Sequence, residues 1–305
     1  MIAAGYDVEI RERYTDIVSN RWPISVTPLP DELLSSWIHR LAFANGIASR
    51  PFAGILGLGN RMWSPFLDLQ LPHRIAALLC DQSGIPYTAI SALSVTDWAL
   101  TPLMLPLREN THRSRSAWIQ YCPLCLADDK TPYFRRQWRL ASRISCFVHG
   151  SGLRDRCPTC HRAIAPFDHR ELLPQHFCAR CGFDLRTAAK PSVKLMARRL
   201  ERVIADICRV EQAKGSGAIV NFIARVLRIP ATLDISPSRT LKSLSTPARI
   251  RCLERLAEQR FDWLMADRSP AIAYQHLMIL AADSHEALIT QLADYLERHQ
   301  TPRLA

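Results

Sequence analysis

The sequence predicts a mainly α fold: a helical N-terminal domain, a central cysteine-rich module with little β structure, and a helical C-terminal domain. Three observations carry this. Apolar residues recur at helical spacing on both sides of the centre, and no strand–helix alternation appears that would signal a parallel α/β sheet. Between residues 122 and 181, eight soft or borderline metal donors stand in four pairs of identical spacing: Cys122/Cys125, Cys146/His149, Cys157/Cys160 and Cys178/Cys181. The divisions expected are 1–115, 116–188 and 189–305.

In the first division, Pro30-Asp31-Glu32 reads as a helix opening, with both carboxylates at the positive end and Leu34, Trp37, Ile38 and Leu41 on one face. Asn45-Gly46 supplies the stop. Residues 51–59 read as a helix broken by Gly54, Gly57 and Gly59, whose spacing is not a dinucleotide fingerprint. Residues 73–93 read as a helix-turn-helix-like unit, with Gly84 at the turn, Ile75, Leu78 and Leu79 on the first helix, and Ile90 and Leu93 on the second. It reads as a packing unit at least as well as a DNA reader, with Tyr87, Thr88 and Ser91 outward. Pro102 and Pro106 mark the boundary before the central module.

A Cys-x-x-Cys turn presents two donors from one backbone kink, and two such turns close one tetrahedral site. The four pairs therefore predict a tandem zinc-finger module with two structural Zn2+ ions on Cys122, Cys125, Cys146 and His149, and on Cys157, Cys160, Cys178 and Cys181. Sequential closure fits the spacing best; a cross-braced closure, first pair with third and second with fourth, stays open. A disulfide framework is the competing reading. It suits short secreted chains, whereas residues 1–7 show neither a basic leader nor an apolar core. His161, His169 and His176 lie nearby and read as surface or packing residues. Full sets of four leave no vertex for water, and neither H-E-x-x-H nor a phosphate-binding G-x-x-x-x-G-K-[ST] loop occurs, so an enzyme is not expected.

Arg135, Arg136, Arg139 and Arg143 fall at a spacing that would line one side of a helix. They are candidate contacts to nucleic acid or to an acidic partner surface, against the plainer reading of a solvated face. After residue 189, Val193, Met196, Leu200, Val203, Ile204 and Ile207 follow helical spacing, with Lys194, Arg198, Arg199 and Arg202 outside. Gly215-Ser216-Gly217 breaks the run. Further helices are expected over 219–227, from Thr246-Pro247 with Thr246 as cap, and over 271–282 and 285–299. Cys80, Cys208 and Cys252 read as small buried hydrophobes.

Net charge is +11, distributed as −2 over 1–107, +7 over 108–188 and +6 over 189–305. Two filled thiolate sites bring the total to about +8. A cationic surface of that size suits a phosphate-bearing partner. No apolar stretch is long enough to span a bilayer, so a cytoplasmic, nucleoid-associated location is expected.

The order of parts resembles the TniQ family. Leu29-Pro30-Asp31-Glu32-Leu33-Leu34-Ser35-Ser36-Trp37-Ile38-His39-Arg40-Leu41-Ala42 comes first, then Tyr121-Cys122-Pro123-Leu124-Cys125, then Tyr133-Phe134-Arg135-Arg136-Gln137-Trp138-Arg139. Cys146-Phe147-Val148-His149-Gly150, Cys157-Pro158-Thr159-Cys160 and Cys178-Ala179-Arg180-Cys181-Gly182 follow, so the resemblance covers roughly 27–185. It implies a non-enzymatic transposition adaptor that marks the DNA target and recruits an AAA+ regulator and, through it, the transposase. Members reach DNA directly or by docking, often as a homodimer, on an RNA-guided CRISPR effector. The alternative is a zinc-containing, sequence-specific transcriptional regulator.

Overall fold

A computed structural model describes residues 21–55, 67–95, 100–106, 118–213, 218–235, 238–259, 263 and 270–299. The glycine breaks at Gly57, Gly59 and 215–217, and residues 1–7, lie outside these. The described residues are mainly helical, and their β structure is confined to isolated antiparallel bridges.

The first apolar core gathers α1 (Leu34–Ala44), α2 (Ser49–Ile55), α3 (His73–Ser83) and α4 (Tyr87–Ser91). Leu34, Trp37, Ile38 and Leu41 are fully withdrawn from solvent against Phe52, Ile75, Leu79, Ile90 and Leu93. Each such side chain contributes about 1.5–3 kcal/mol through burial. Gly84 takes φ +71 and closes α3 by donating its N–H to Cys80 O at 2.8 Å, so the turn of the helix-turn-helix-like unit is left-handed, as only glycine readily allows. α4 is five residues long, with Tyr87 and Thr88 exposed and Ser91 half-buried.

The opening of α1 differs from expectation. The helix starts at Leu34 and carries no acidic residue in its first turn. Asp31 has φ +55 and pairs instead with Arg136 at 3.2 Å. Glu32 is buried and takes both Nε–H and Nη2–H of Arg40 at 2.8 Å, together with the Leu29 N–H at 2.9 Å. A buried carboxylate needs donors that it can keep, and the bidentate arginine outweighs a place at the helix dipole.

The leader and the aromatic–basic segment are one structural unit. Leu33 N–H donates to Phe134 O at 2.9 Å and Arg136 N–H to Asp31 O at 2.8 Å, around a Glu32–Arg135 bridge. Phe134 N–H donates to Ser36 Oγ at 2.9 Å. The motifs follow each other at long range in the chain because they are neighbours across this seam.

The largest core is C-terminal. It packs α6 (Leu195–Ala213) against α7 (Ala218–Leu227), α8 (Ile229–Thr232), α9 (Thr246–Ala257), α10 (Pro270–Ala281) and α11 (His285–His299). Cys208 and Cys252 are buried in it, while Cys80 is half-buried beside the first core. Val95, Leu100, Leu103, Met104 and Leu105 also pack into this core, against the C-terminal helices. The cap of α9 is also tertiary: Ser245 is the N-cap without a side-chain bond, and Thr246 N–H donates to Asp155 Oδ2 at 2.7 Å. The threonine, expected to cap, instead lends its hydroxyl to buried Gln120 Oε1 at 2.9 Å.

Candidate metal centres

Three of the four ligand pairs share one backbone device. Cys146 N–H donates to Ser151 O, Cys157 N–H to Arg162 O and Cys178 N–H to Phe183 O. Gly150, His161 and Gly182, each just after the second donor, send their N–H back to the first cysteine's carbonyl. All three are left-handed, with φ +62, +56 and +70. One antiparallel bridge closes each loop: Ser145–Gly152, Arg156–Ala163 and Phe177–Asp184. The fourth pair differs. Cys122 is the N-cap of α5 (Pro123–Asp128), Pro123 occupies the first turn, and Cys125 follows one turn on.

The loops meet in sequential order. Cys122, Cys125, Cys146 and His149 form one cluster and Cys157, Cys160, Cys178 and Cys181 the other, every donor atom within 4.8 Å of the rest of its cluster. In the first, Cys125 Sγ lies 3.4 Å from Cys146 Sγ and 3.3 Å from His149 Nδ1, and Nδ1 is 3.6 Å from Cys122 Sγ. In the second, Cys157–Cys181 and Cys160–Cys178 are 3.6 and 3.7 Å apart. A disulfide needs about 2.05 Å, and all ten cysteines are free.

These separations fit a shared ion. Thiolates about 2.3 Å from a tetrahedral metal stand about 3.8 Å from one another, with a somewhat shorter edge to an imidazole nitrogen. The electrostatics agree. Burial pushes the Cys178 thiol up to about 12, with neighbouring Cys157 adding to the rise. Four sulfurs at van der Waals distance cannot all ionise without a counter-charge, and a divalent cation supplies it. Both clusters can hold a metal ion.

His149 Nε2–H donates to Asp128 Oδ2 at 2.9 Å, which leaves the Nδ1 lone pair facing the sulfurs. This carboxylate–histidine arrangement orients a ligand and raises its basicity. Sequence reasoning missed Asp128; its place three residues after Cys125, on the same helix, was the available signal. The first cluster is also anchored from outside. Ser145 N–H and Oγ–H donate to buried Glu201 Oε2 at 3.1 and 2.7 Å, and Gly152 N–H to Pro191 O at 2.7 Å. The second cluster is wetter, with Cys181 exposed.

The family model TniQ matches residues 23–153. Over that span the chain is similar to the TniQ family. No curated protein matches it. TniQ is a target-selection family associated with transposition. The matched span takes in the leader, the seam with the aromatic–basic segment and the whole first ligand cluster, and ends before Cys157. It is shorter at its C-terminal end than the resemblance read from the motifs, so the second cluster lies beyond it.

Within the matched span the four candidate arginines do not form one helical face. Residues Arg136–Arg139 make a 3₁₀ turn, and the chain then extends. Arg139 is wholly buried and bonded to Asp68 at 3.1 Å, with both side chains at 0% exposure. Burial pushes Asp68 up to about 6, against the pull of Arg139. Asp68 also accepts the Ser35 N–H and Oγ–H at 2.7 and 3.0 Å, which ties this turn to α1. Arg143 pairs with Glu201 at 2.8 Å. Arg135 bonds Asp129 at 2.8 Å and lies over Tyr133 and Trp138. Arg136 is the most open of the four, a third exposed, and is held by Asp31. The seam with the leader pulls the segment out of a helix, and each guanidinium finds a carboxylate of this same chain.

The three spare histidines divide. His161 is the exposed left-handed residue of the third loop. His169 and His176 are buried; His169 Nε2–H donates to Phe177 O at 3.0 Å, so its Nδ1 accepts from His39 Nε2–H at 3.1 Å. The helix-turn-helix-like unit sits apart from both clusters, in the first core.

Proposed function

We propose that this chain is a non-enzymatic transposition adaptor whose two clusters hold structural Zn2+ ions through the eight residues named above. It marks the DNA integration target, directly or by docking on an RNA-guided CRISPR effector, and recruits an AAA+ regulator and through it the transposase. The TniQ match over the leader, its seam and the first ligand set is the observation that carries this reading. Four protein donors fill a tetrahedron and leave no vertex for a reacting water, which favours a scaffold over a catalyst. A soft, thiolate-rich donor set favours zinc over harder ions. Among the described residues no helix is long and apolar enough to cross a membrane. As a working division we keep 1–115, 116–188 and 189–305, with Val95, Leu100 and residues 103–105 packed against the third.

The alternative, a transcriptional regulator reading DNA through residues 73–93, is the weaker reading. A five-residue α4 spans only about 7.5 Å, short for a helix laid along a major groove. The test is integration in a reconstituted system of transposon ends, transposase and AAA+ regulator. Adding the chain concentrates insertions at one target, and Cys146→Ser abolishes this. Undirected insertion with and without the wild-type chain refutes the proposal, and specific duplex binding in its place supports the regulator.

A further inference from the structure

The tip of the first ligand loop stands beside the start of α6, and a cleft of about 530 Å3 lies between them. Sites that bind small molecules and side chains occupy about 300–1,000 Å3. One wall is apolar and open. Phe147 and Val148, at the loop tip between Cys146 and His149, are 63% and 72% exposed; Leu195 and Met196, at the start of α6, are 68% and 43% exposed. Scattered apolar side chains are ordinary on a protein surface, but several around one concavity mark a binding surface.

The other wall is cationic, made by Arg198, Arg199 and Arg202 of α6. They do not lie simply outside the helix as its periodicity suggested. Arg199 Nη2–H donates to Leu280 O at 2.7 Å and Arg202 Nη2–H to Ala282 O, at the carbonyl end of α10. These contacts to neutral carbonyls hold the side chains in place; Asp206 and Asp283 lie near enough to act on Arg202. Arg198 lies across Gly150, whose missing side chain gives it room. Arg198 Nε, Arg199 Nε and Arg202 Nη1 are themselves buried, without a hydrogen-bond acceptor among the described residues. Arg143 also lines the cleft, but Glu201 neutralises it. Asp283 is the one carboxylate in the lining. The wall therefore keeps a surplus of positive charge on pre-positioned side chains.

We infer that this cleft docks an acidic segment of another protein, with carboxylates on the α6 arginines and a neighbouring apolar side chain against Phe147 and Leu195. The apolar wall separates this occupant from nucleic acid. A duplex keeps its bases stacked inside and offers its phosphodiesters outward, so it gains from the cations alone and has nothing to place on Phe147 and Leu195, whereas a peptide uses both walls. Arginine, phenylalanine and methionine are among the side chains enriched at the buried centres of protein–protein interfaces. Because the loop tip is strung between two ligands, the metal sets the shape of the apolar wall. The inference names the chemistry of one partner contact and in that respect rests on the adaptor reading.

The test uses the full metal-loaded chain and a fluorescein-labelled octapeptide alternating glutamate with leucine and phenylalanine, followed by fluorescence anisotropy. Saturable binding is expected. Arg198→Gln and Leu195→Ser should each weaken it about tenfold, the effect of losing one charge-assisted hydrogen bond or one apolar anchor. Metal content and circular dichroism should stay unchanged; Leu195 is exposed, so that variant keeps the reading secure if Arg198→Gln disturbs the fold. The same peptide with serine for its apolar residues should bind more weakly, and a duplex oligonucleotide should not displace the original. No saturable binding, binding indifferent to both substitutions, or equal displacement by the oligonucleotide overturns the inference. If peptide binding behaves as expected but targeted integration fails, the adaptor reading falls and the cleft stands. If integration succeeds without peptide binding, the reverse holds.

Discussion

The repeated ligand loop makes a prediction with opposite signs at equivalent positions. Gly182 and His161 occupy the same place in their loops, at φ +70 and +56. A residue with a Cβ pays about 1–2 kcal/mol in the left-handed region, while replacing glycine returns about 0.4–1 kcal/mol by narrowing the unfolded ensemble. A Cβ at Gly182 would meet nothing within 4 Å, so packing adds no further cost. Gly182→Ala should then destabilise by about 0.5–1 kcal/mol, and His161→Gly should stabilise by about 0–1 kcal/mol, histidine being among the residues that tolerate this region better. His161 bonds through its backbone, its N–H to Cys157 O and its O to Arg156 Nη1–H, so glycine keeps both contacts. The assay is urea unfolding at a fixed free concentration of Zn2+, since metal binding to the folded state is part of the measured stability. Gly182→Ala at wild-type stability, or both substitutions shifting it in the same direction, would refute the argument from backbone conformation. Gly150→Ala adds a consequence outside the loop, because the new methyl group must displace Arg198.

Asp128→Asn should weaken metal binding at the first cluster about tenfold, the low end for an orienting carboxylate because Asp128 is 66% exposed; chelator competition reads this, and unchanged affinity would remove Asp128 from the site. Arg139→Leu leaves Asp68 buried without its counter-ion and should cost about 3–5 kcal/mol, measured by thermal or urea unfolding, whereas replacing both Arg139 and Asp68 with apolar residues should recover much of the loss. Burial, then the neighbouring His169 and His176, lower His39 to about 3. A histidine lowered in the folded state stabilises above its unfolded value near 6.5 and loses that contribution as pH falls below it, by up to about 1.4 kcal/mol per pH unit. Stability at saturating metal should therefore drop between pH 6.5 and 5 and drop less in His39→Gln; equal slopes would count against the buried pair.

The ligand clusters were legible because their chemistry is local: a two-residue spacing fixes the turn, and the turn fixes the donors. Sequential closure followed the same logic. The helices of the C-terminal third were legible from periodicity, with Val193 and Leu195 marking how loosely periodicity sets an end. The arginines from 135 to 143 were misread because their spacing is helical while their conformation is set by pairing with the leader. The carboxylates that take Arg139 and Arg143, Asp68 and Glu201, are separated from them by long stretches of chain, and no local pattern announces such pairs. Glu32 shows the same limit: it looked like a helix-dipole residue and is a buried acceptor. His161 reads from the sequence as a surface or packing residue, and it is exposed; its backbone role appears only on comparison with the glycines after His149 and Cys181.

The seam between the leader and the aromatic–basic segment has a consequence for how the chain is made. Tyr133 donates to Pro30 O across 103 residues. At about 5–20 residues per second, the ribosome delivers the second side of that seam roughly 5–20 seconds after the first. During that interval the apolar face of α1 has emerged without the strip that covers its start, and Glu32 has yet to be sealed beneath Phe134 and Arg136. Ribosome-bound chains in which residues 133–139 have not yet emerged should accordingly protect α1 from proteolysis less than chains in which they have.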